Sequence, residues 1–326
     1  MILRKDIVMG TLNQIFEEIK EAESIVILTH ENPDGDAVGT SLALYNALKN
    51  YGKENVDIII PECPEIFMFL PNADKIKKSS DVENYDLAIG IDCSSLQMLC
   101  RGHQYFENAE KTIVIDHHDT NAMYGDLNFV NPDAPACAEV MIVALNSFDM
   151  PITKDIGTCL LAGIITDTGG FKYQGVTAET FEFVANLMKR GVNVSDVYRK
   201  VLQVKTKSAY ELARAANSRL ELLDDGKIAY TYVTEEDYEK FNTTYGDHEG
   251  IVDVGRDIEG VEVSIFIRPI KGKGLKVSLR SNDKVNVDEI ALIYGGGGHQ
   301  KSAGFSVNGD FDAVKELVLK EVRHYL

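Results

Sequence analysis

The sequence has few cysteines and no long apolar run. Its five cysteines are odd in number and include no C-x-x-C pair, which argues against a disulfide framework and against a cysteine-based zinc site. No apolar run approaches the roughly 18 residues that span a bilayer, and residues 1–10 lack the apolar segment and the cleavage site of a signal peptide. We therefore expect a cytoplasmic protein with no membrane partner.

Basic residues are also scarce. The chain has 33 Lys and Arg residues against 51 Asp and Glu residues, for a formal net charge of −18. Proteins that grip long duplex nucleic acid usually carry a basic stripe, because neutralising phosphates supplies most of the non-specific affinity. The balance therefore disfavours long nucleic acid as a partner. It still permits small phosphorylated substrates, provided that bound metal ions supply positive charge locally.

The first 190 residues predict an α/β domain. Short β-branched runs alternate with amphipathic helical stretches, which is typical of βαβ units and of a parallel sheet covered on both faces. The predicted strands cover 24–29, 56–60, 87–91 and 112–115, and the predicted helices cover 36–50, 137–147, 154–166 and 178–190. A chain of 326 residues is longer than one ordinary domain needs, so a second domain is expected.

The remaining residues predict a smaller α+β domain. Gly191 is a good stop for the preceding helix, and a helical linker is expected to follow it. Asp224-Asp225-Gly226 then separates two strand-like runs, as a hairpin turn does. The predicted organisation is an α/β domain over 1–190, a helical linker over 191–217 and an α+β domain over 218–326.

Residue types that bind metal ions follow three of the predicted strands. They are His30, Asp34 and Asp36 after the first strand, Asp92 after the third, and Asp116, His117 and His118 after the fourth, while Asp167 ends a later apolar run. In open parallel sheets, ligands bind outside the carboxyl ends of the strands. Side chains that are distant in the sequence are therefore expected to share one crevice.

Six of these residues offer enough donor atoms for two ions. The set is His30, Asp34, Asp36, Asp92, His117 and Asp167. Oxygen and imidazole donors suit Mn²⁺ or a similar divalent ion, and the absence of sulfur donors argues against a structural zinc site. Without metal the carboxylates would repel one another, whereas two dications would bring the cluster close to neutral. The sequence therefore predicts two divalent metal ions, with Mn²⁺ favoured.

Each residue taken singly has a simpler explanation. An Asp after a strand is often a helix cap or a turn residue, and Asp34-Gly35 alone would be interpreted as a turn. The pair His117-His118 alone would fit an ordinary loop. Taken together, however, three of the seven histidines in the chain fall within these strand-end motifs. The combination favours a metal site.

A glycine run near the end of the chain has its own chemistry. Residues 295–298 are all glycine, and His299 and Ser302 follow at once. Without Cβ atoms, backbone N–H groups can approach a phosphate or a base closely. A flexible loop is the alternative, but it does not explain the polar residues that follow. We expect the run to form a loop that binds substrate.

These motifs resemble those of the DHH phosphoesterase family. The resemblance is carried by His30-x₃-Asp34-x-Asp36, Asp92, Asp116-His117-His118 and Asp167. The glycine run with His299 and Ser302-Ala303-Gly304 resembles the signature of the DHHA1 domain, which forms the C-terminal part of many members. The two parts span nearly the whole chain, and the compact layout is similar to members that act as oligoribonucleases and pAp phosphatases.

The resemblance also implies roles for individual residues. One ion would bind His30, Asp34 and Asp92, and a second would bind Asp36, Asp92, His117 and Asp167, with Asp92 as a catalytic bridge. Asp116 would orient a ligand, and His118 would contact the scissile phosphate or protonate the leaving oxygen. Substrate would be held by Arg280, Gly296, Gly297, Gly298, His299 and Ser302. Arg268 is a weaker candidate, since a surface residue before Pro269 explains it equally well. A homodimer is also implied.

The expected activity is hydrolysis of short RNA, of pAp, or of both, to mononucleotides, with hydroxide attacking phosphorus at a two-metal centre. Cleavage of pApA or cyclic di-adenylate remains an alternative. An exonuclease on long strands is disfavoured by the lack of a basic track, and an inorganic pyrophosphatase by the glycine-run domain. A nucleotide sensor without turnover is disfavoured because all six ligand positions are intact.

Overall fold

The protein is described by a computed structural model that covers residues 2–31, 33–173, 175–243, 247–248, 250–270 and 274–326, with side chains from Gly10 onward. The chain forms two compact units, Met1–Val204 and Lys205–Leu326, called here the N-terminal and the C-terminal unit. Within the described ranges, no helix combines the length and the apolar character needed to cross a membrane.

The N-terminal unit contains five strands and seven α-helices among its described residues. In chain order they are α1 (Ile2–Glu21), β1 (Ser24–Leu28), α2 (Gly35–Tyr51), β2 (Asn55–Ile59), β3 (Leu87–Ile91), α3 (His103–Glu107), β4 (Lys111–Asp116), β5 (Leu127–Val130), α4 (Cys137–Ser147), α5 (Lys154–Asp167), α6 (Ala178–Lys189) and α7 (Val194–Tyr198). Short 3₁₀ helices lie at Glu65–Phe67, Ala73–Lys75 and Leu96–Gly102, and one π-helical turn covers Arg199–Gln203.

The five strands form one parallel sheet in the order β2-β1-β3-β4-β5, which confirms the predicted fold class. Every residue of β3 is buried, as expected for a strand that is covered on both faces. Helices α2, α4 and α5 supply much of the main core on one face of the sheet. The sheet therefore provides a rigid frame whose strand ends can present side chains.

The C-terminal unit contains a second, mostly antiparallel sheet. Its elements are α8 (Lys207–Ser218), β6 (Glu221–Leu223), β7 (Ile228–Tyr232), α9 (Glu235–Phe241), α10 (Ile251–Arg256), β8 (Val263–Pro269), β9 (Leu275–Ser281), α11 (Val287–Ile293), β10 (Gly297–His299), β11 (Ser302–Val307) and α12 (Phe311–Tyr325). The strand order is β10-β11-β9-β8-β7-β6, and only β7 and β8 run parallel.

The two faces of this second sheet differ in chemistry. Along β9, Leu275, Val277 and Leu279 are buried in the core with residues of α11 and α12. The alternating residues Lys276 and Ser278 lie on the opposite face and are half-buried. Strand residues alternate between faces with a period of two, so the sequence of β9 gives one apolar and one polar face.

Some expectations need correction or remain open. The glycine run is not a loop throughout, because Gly297–His299 forms β10 and pairs with β11. A Cβ on Gly298 would lie 2.4 Å from the Ser302 carbonyl oxygen, so glycine is what allows this close pairing. Of the predicted helical linker, α7 lies in the N-terminal unit and α8 in the C-terminal unit. The functional domain limits stay a prediction.

Candidate metal centre

The candidate metal-binding residues lie at the point of the parallel sheet where the order of strand addition reverses. Because β1 sits between β2 and β3, the chain leaves β1 first toward one edge of the sheet and later toward the other. Crevices at such a switch point, outside the carboxyl ends of the strands, are the usual ligand sites of open α/β sheets. His30 follows β1 by two residues, while Asp92 and His117 directly follow β3 and β4.

The start of α2 places two carboxylates at this crevice. Asp34 caps the helix, and its Oδ1 accepts hydrogen bonds from the backbone N–H groups of Asp36 and Ala37 at 2.9 and 3.0 Å. The Asp36 side chain is fully buried in the first turn. Carboxylates are favoured there because free N–H groups and the helix dipole both attract negative charge.

Asp36 is held firmly by its surroundings. Its carboxylate accepts hydrogen bonds from the backbone N–H groups of Cys137 and Ala138 at the start of α4 and from the Thr40 hydroxyl. On α5, a Cβ on Gly163 would lie 2.5 Å from Asp36 Oδ1. Glycine at this position is therefore required for Asp36 to occupy its site.

Asp92 is the most unusual residue of the cluster. Its φ of 51° lies in the left-handed region, which costs a residue with a side chain on the order of 1–3 kcal/mol. The residue is 2% exposed, and its buried Oδ1 accepts no hydrogen bond from any described residue. A buried carboxylate oxygen without a donor is costly, so the geometry fits an oxygen that is reserved for a cation.

The candidate donor atoms form three groups, each within 4.8 Å. The groups are His30, Asp34 and Asp92; Asp36, His117 and Asp167; and Asp92, His117 and His118. All six predicted ligands occur among them, and Asp92 belongs to two groups. His118, which the sequence assigned to catalysis rather than to metal binding, also lies close to Asp92, with Nδ1 3.6 Å from Oδ1.

A backbone contact determines how His117 presents its ring. Its Nδ1 lies 3.0 Å from the Ala134 carbonyl oxygen, which can only accept a hydrogen bond. Nδ1 therefore carries the proton, and the Nε2 lone pair faces Asp92 Oδ1 at 3.5 Å and Asp167 Oδ2 at 3.3 Å. A second hydrogen bond of this kind is how proteins orient metal-binding histidines.

Asp116 contacts His118 rather than a candidate ion. The His118 Nδ1 lies 2.7 Å from Asp116 Oδ1, and the buried carboxylate also accepts from the His117 N–H and from Asn121. Burial alone would raise the pKa of Asp116, but the hydrogen bond and the charge of His118, together with the hydrogen bonds from Asn121 and the His117 N–H, outweigh burial and lower that pKa. The same contact raises the pKa of His118.

The carboxylates of the cluster have strongly raised pKa values, because they are buried close to one another. Burial, with added repulsion from Asp36 and Asp34, raises the pKa of Asp167 to about 8, and burial raises the pKa of Asp36 to about 6. Burial and four neighbouring carboxylates raise the pKa of Asp92 well above its usual range. Burial lowers the pKa of His30. Such a cluster ionises fully only beside positive charge, so the donor set fits divalent cations.

In the C-terminal unit, the sheet register aligns three predicted substrate residues. Ser302 on β11 lies opposite His299 on β10 and opposite Arg280 on β9. The Arg280 Nε is 3.4 Å from Asp253 Oδ1. Arg268 on β8 lies opposite Lys276 near the other end of β9, so it does not join this row.

Two contacts were not found by sequence reasoning. The Ala134 carbonyl orients His117, and Asn121 contacts Asp116 and the Cys93 carbonyl. Neither residue carries a signal in the sequence, because a backbone carbonyl has no residue type and a loop asparagine is common in turns. Only the folded positions show these roles.

The N-terminal sheet presents carboxylates and imidazoles at its switch point, and the C-terminal unit adds a sheet that contains the glycine run. This combination places the chain in the class of metal-dependent phosphoesterases. The model of the DHH family N-terminal domain matches residues 24–164, and the model of the DHHA1 domain matches residues 225–326. The chain belongs to the DHH family and carries a DHHA1 domain, and it is therefore a hydrolase.

Curated relatives match nearly the whole chain. A bifunctional oligoribonuclease and PAP phosphatase NrnA of Thermus thermophilus is 34% identical over 315 residues, covering 96% of this chain and 93% of the relative. A Bacillus subtilis protein with the same description is 25% identical, covering 90% and 92%. A crystal structure of an exopolyphosphatase-related protein from Bacteroides fragilis matches with a TM-score of 0.88 and 27% identity, covering 96% of each chain.

Proposed function

We propose that this phosphoesterase hydrolyses short oligoribonucleotides and pAp to mononucleotides, with two divalent ions, of which Mn²⁺ is favoured. The observation that carries the proposal is the meeting of six donor residues from three strand ends and two helices in overlapping groups. The descriptions of the relatives from Thermus thermophilus and Bacillus subtilis support the substrate class. The acidic composition agrees with small rather than long substrates.

The grouping of the donor atoms supports the ligand roles that we propose. We assign one ion to His30, Asp34 and Asp92, which form one of the groups, and the other to Asp36, His117 and Asp167, which form another, with Asp92 as an additional ligand of the second ion. Bound ions would supply positive charge to the phosphate and would lower the pKa of a water molecule toward neutrality.

The chain itself supplies orientation and a proton. Asp116 holds the His118 ring through Nδ1 and keeps it readily protonated. His118 can then donate its proton to the leaving oxygen, as a general acid must. In the C-terminal unit, Arg280, Ser302, His299 and the N–H groups around Gly297 offer donors for the terminal phosphate of the substrate. A cytoplasmic location and a homodimer remain predictions from the sequence.

A substrate panel tests the proposal. We expect Mn²⁺-dependent release of product from pAp and from RNA dimers to pentamers, with kcat/KM well above the values for pyrophosphate and cyclic di-adenylate. Asp92→Asn should abolish turnover, because it removes the negative charge of a buried carboxylate that belongs to two donor groups. Asp81→Asn makes the same chemical change on an exposed loop and should retain full activity.

Three outcomes would contradict the proposal. A higher kcat/KM on cyclic di-adenylate or pyrophosphate would assign a different substrate. Tight binding of nucleotide without any turnover would indicate a sensor. Equal activity of Asp92→Asn and Asp81→Asn would remove the assigned metal centre from the chemistry.

A further inference from the structure

The loop that follows β4 is tied to the segment that follows β3. We call residues 119–124 of this loop the clamp loop. The Ala122 N–H donates a hydrogen bond to the Ser94 carbonyl oxygen at 2.8 Å, and the Asp92 N–H donates to the Ile115 carbonyl oxygen at 3.0 Å. The two strand ends are therefore joined beyond the last paired residues of the sheet, on the side where the candidate metal ligands lie.

Two side chains of the clamp loop donate hydrogen bonds to one backbone carbonyl. The Cys93 carbonyl oxygen lies 3.2 Å from Asn121 Nδ2 and 3.1 Å from the Tyr124 hydroxyl oxygen. A carbonyl oxygen has two lone pairs, so both are used. Gly90 on β3 provides the space for this arrangement, because a Cβ at that position would lie 2.9 Å from the Tyr124 hydroxyl oxygen.

This carbonyl belongs to the residue directly after Asp92. Asp92 has a left-handed backbone, and such a conformation persists only where the surrounding structure holds it. The Asp92 N–H is fixed by the Ile115 carbonyl, and the Cys93 carbonyl is fixed by the clamp loop. The backbone is thus held on both sides of the strained residue. The direction of the Asp92 carboxylate, which belongs to two groups of candidate ligand atoms, depends on this backbone.

Asn121 also contacts the acidic partner of His118. Its Nδ2 lies 2.5 Å from Asp116 Oδ2, while Asp116 Oδ1 lies 2.7 Å from His118 Nδ1. A side-chain amide has two N–H groups, one for Asp116 and one for the Cys93 carbonyl. The Asn121 Oδ1 accepts a hydrogen bond from the Met123 N–H at 2.7 Å, which fixes the amide with its nitrogen toward these two acceptors.

A turn residue is the simpler explanation of Asn121. Asparagine is common in turns, where its side-chain oxygen accepts a hydrogen bond from the backbone N–H two residues on, as it does here with Met123. That contact uses only Oδ1. The two hydrogen bonds of Nδ2 leave the turn and end at Asp116 and at the backbone beside Asp92. A turn does not require them.

We propose that Asn121 is a positioning residue, whose amide group holds both the backbone beside Asp92 and the Asp116 carboxylate in the geometry that the reaction requires. The proposal rests on the function assigned above to the metal centre and to His118. Asn121 acts through Asp92 on the bound ions and through Asp116 on the His118 ring. Groups that orient metal ligands typically contribute about 10–100-fold to metal affinity or activity. Asn121 should therefore affect both the metal affinity and kcat.

Two variants separate the two contacts. Asn121→Ala loses both, and it should raise the Kd for Mn²⁺ about tenfold and lower kcat at saturating Mn²⁺ by about 10–100-fold. Tyr124→Phe loses one hydrogen bond to the Cys93 carbonyl but none to Asp116. It should raise the Kd by about 2–10-fold, the usual effect of one neutral hydrogen bond, and it should change kcat far less than Asn121→Ala does. Asn108→Ala, an exposed change in the same unit, should match the parent in both quantities.

A purely structural role predicts a different pattern. Calorimetric titration with Mn²⁺ in the absence of substrate measures the Kd, and urea denaturation of the metal-free protein measures stability. If Asn121 only stabilised the loop, the folded Asn121→Ala variant would keep the parental Kd and kcat, and the proposal would be wrong. An unchanged Kd in Tyr124→Phe would likewise contradict the role of the Cys93 carbonyl, whether or not Asn121→Ala folds.

A double-mutant cycle tests the contact with Asp116. Because Asp116→Asn already removes the acceptor for Asn121, adding Asn121→Ala should lower kcat at saturating Mn²⁺ by less than about threefold further. Fully additive losses of kcat would show that Asn121 does not act through Asp116, and they would overturn that half of the proposal.

Metal binding separates this inference from the proposed function. A parent that binds Mn²⁺ but hydrolyses none of the panel substrates would overturn the proposed function, and a tenfold weaker Mn²⁺ affinity of Asn121→Ala would still support its role beside Asp92. A parent that hydrolyses pAp, with a folded Asn121→Ala variant equal to it in Mn²⁺ affinity or in kcat, would overturn the positioning role and leave the function intact.

Discussion

The contact between Asp116 and His118 makes a sharp prediction about catalysis. Asp116 belongs to none of the three groups of candidate ligand atoms, yet it lies 2.7 Å from His118 Nδ1. Asp116→Asn keeps an oxygen that can accept from the His117 N–H, so the end of β4 should retain its shape. The variant loses the negative charge that raises the pKa of His118, and its amide nitrogen can no longer accept the hydrogen bond from Asn121.

The size of the effect follows from the two functions of this contact. A hydrogen bond to a charged group contributes about 1.5–3 kcal/mol, and a correctly placed general acid contributes about 10²–10⁴-fold in rate. We expect kcat to fall by about 10²–10³-fold, within the general-acid range. Since the native carboxylate raises the pKa of His118, the alkaline limb of the kcat profile should move to lower pH in the variant.

Steady-state kinetics from pH 5 to 9, together with elemental analysis of bound metal, would measure both effects. Asp133→Asn is a matched control, because Asp133 is an exposed residue of the same unit. A variant that keeps the parental kcat and pH profile with its metal in place would refute the assigned role of His118. Loss of metal in parallel with loss of rate would show that Asp116 supports the metal site instead.

Two further predictions concern the metal centre. Gly163→Ala places a methyl group against Asp36 and should lower the free energy of unfolding, measured by urea denaturation, by about 1–3 kcal/mol. Gly10→Ala is the control, because a Cβ there meets no atom within 4 Å, and it should be neutral or slightly stabilising. Equal effects of the two substitutions on the free energy of unfolding would contradict the reasoning. In metal-free protein, burial raises the pKa of Asp36 to about 6 and of Asp167 to about 8, so between about pH 4 and pH 8 the folded state binds more protons than the unfolded state. The melting temperature in EDTA should therefore fall as the pH rises through this range, and Mn²⁺ should reverse the loss; a rising melting temperature would contradict the shifts.

Much of the N-terminal unit could be predicted because its strands are continuous apolar runs. Each of the first four predicted strands appears in the sheet, within two residues at either end. Parallel strands place their carboxyl ends at one edge, so residues such as His30 and Asp92 could be grouped without knowing any contact. Strand β5 was missed, since Leu127–Val130 is only four residues long.

Other features depend on packing that a sequence pattern does not reveal. The left-handed backbone of Asp92 and the fit of Gly163 against Asp36 involve atoms from different elements. The pairing of Gly297–His299 with β11 depends on register, and a glycine run has no side-chain periodicity from which register can be deduced. For the same reason, the opposition of Lys276 and Arg268 appears only once β8 and β9 are aligned.

The most direct test of the account is the anomalous scattering of crystals grown with Mn²⁺, recorded at the manganese absorption edge. We expect two peaks in the N-terminal unit, one between His30, Asp34 and Asp92 and the other between Asp36, His117 and Asp167, with Asp92 in contact with both. Density for a single ion, or for ions that Asp92 does not touch, would contradict the central claim that these strand ends build a two-metal centre.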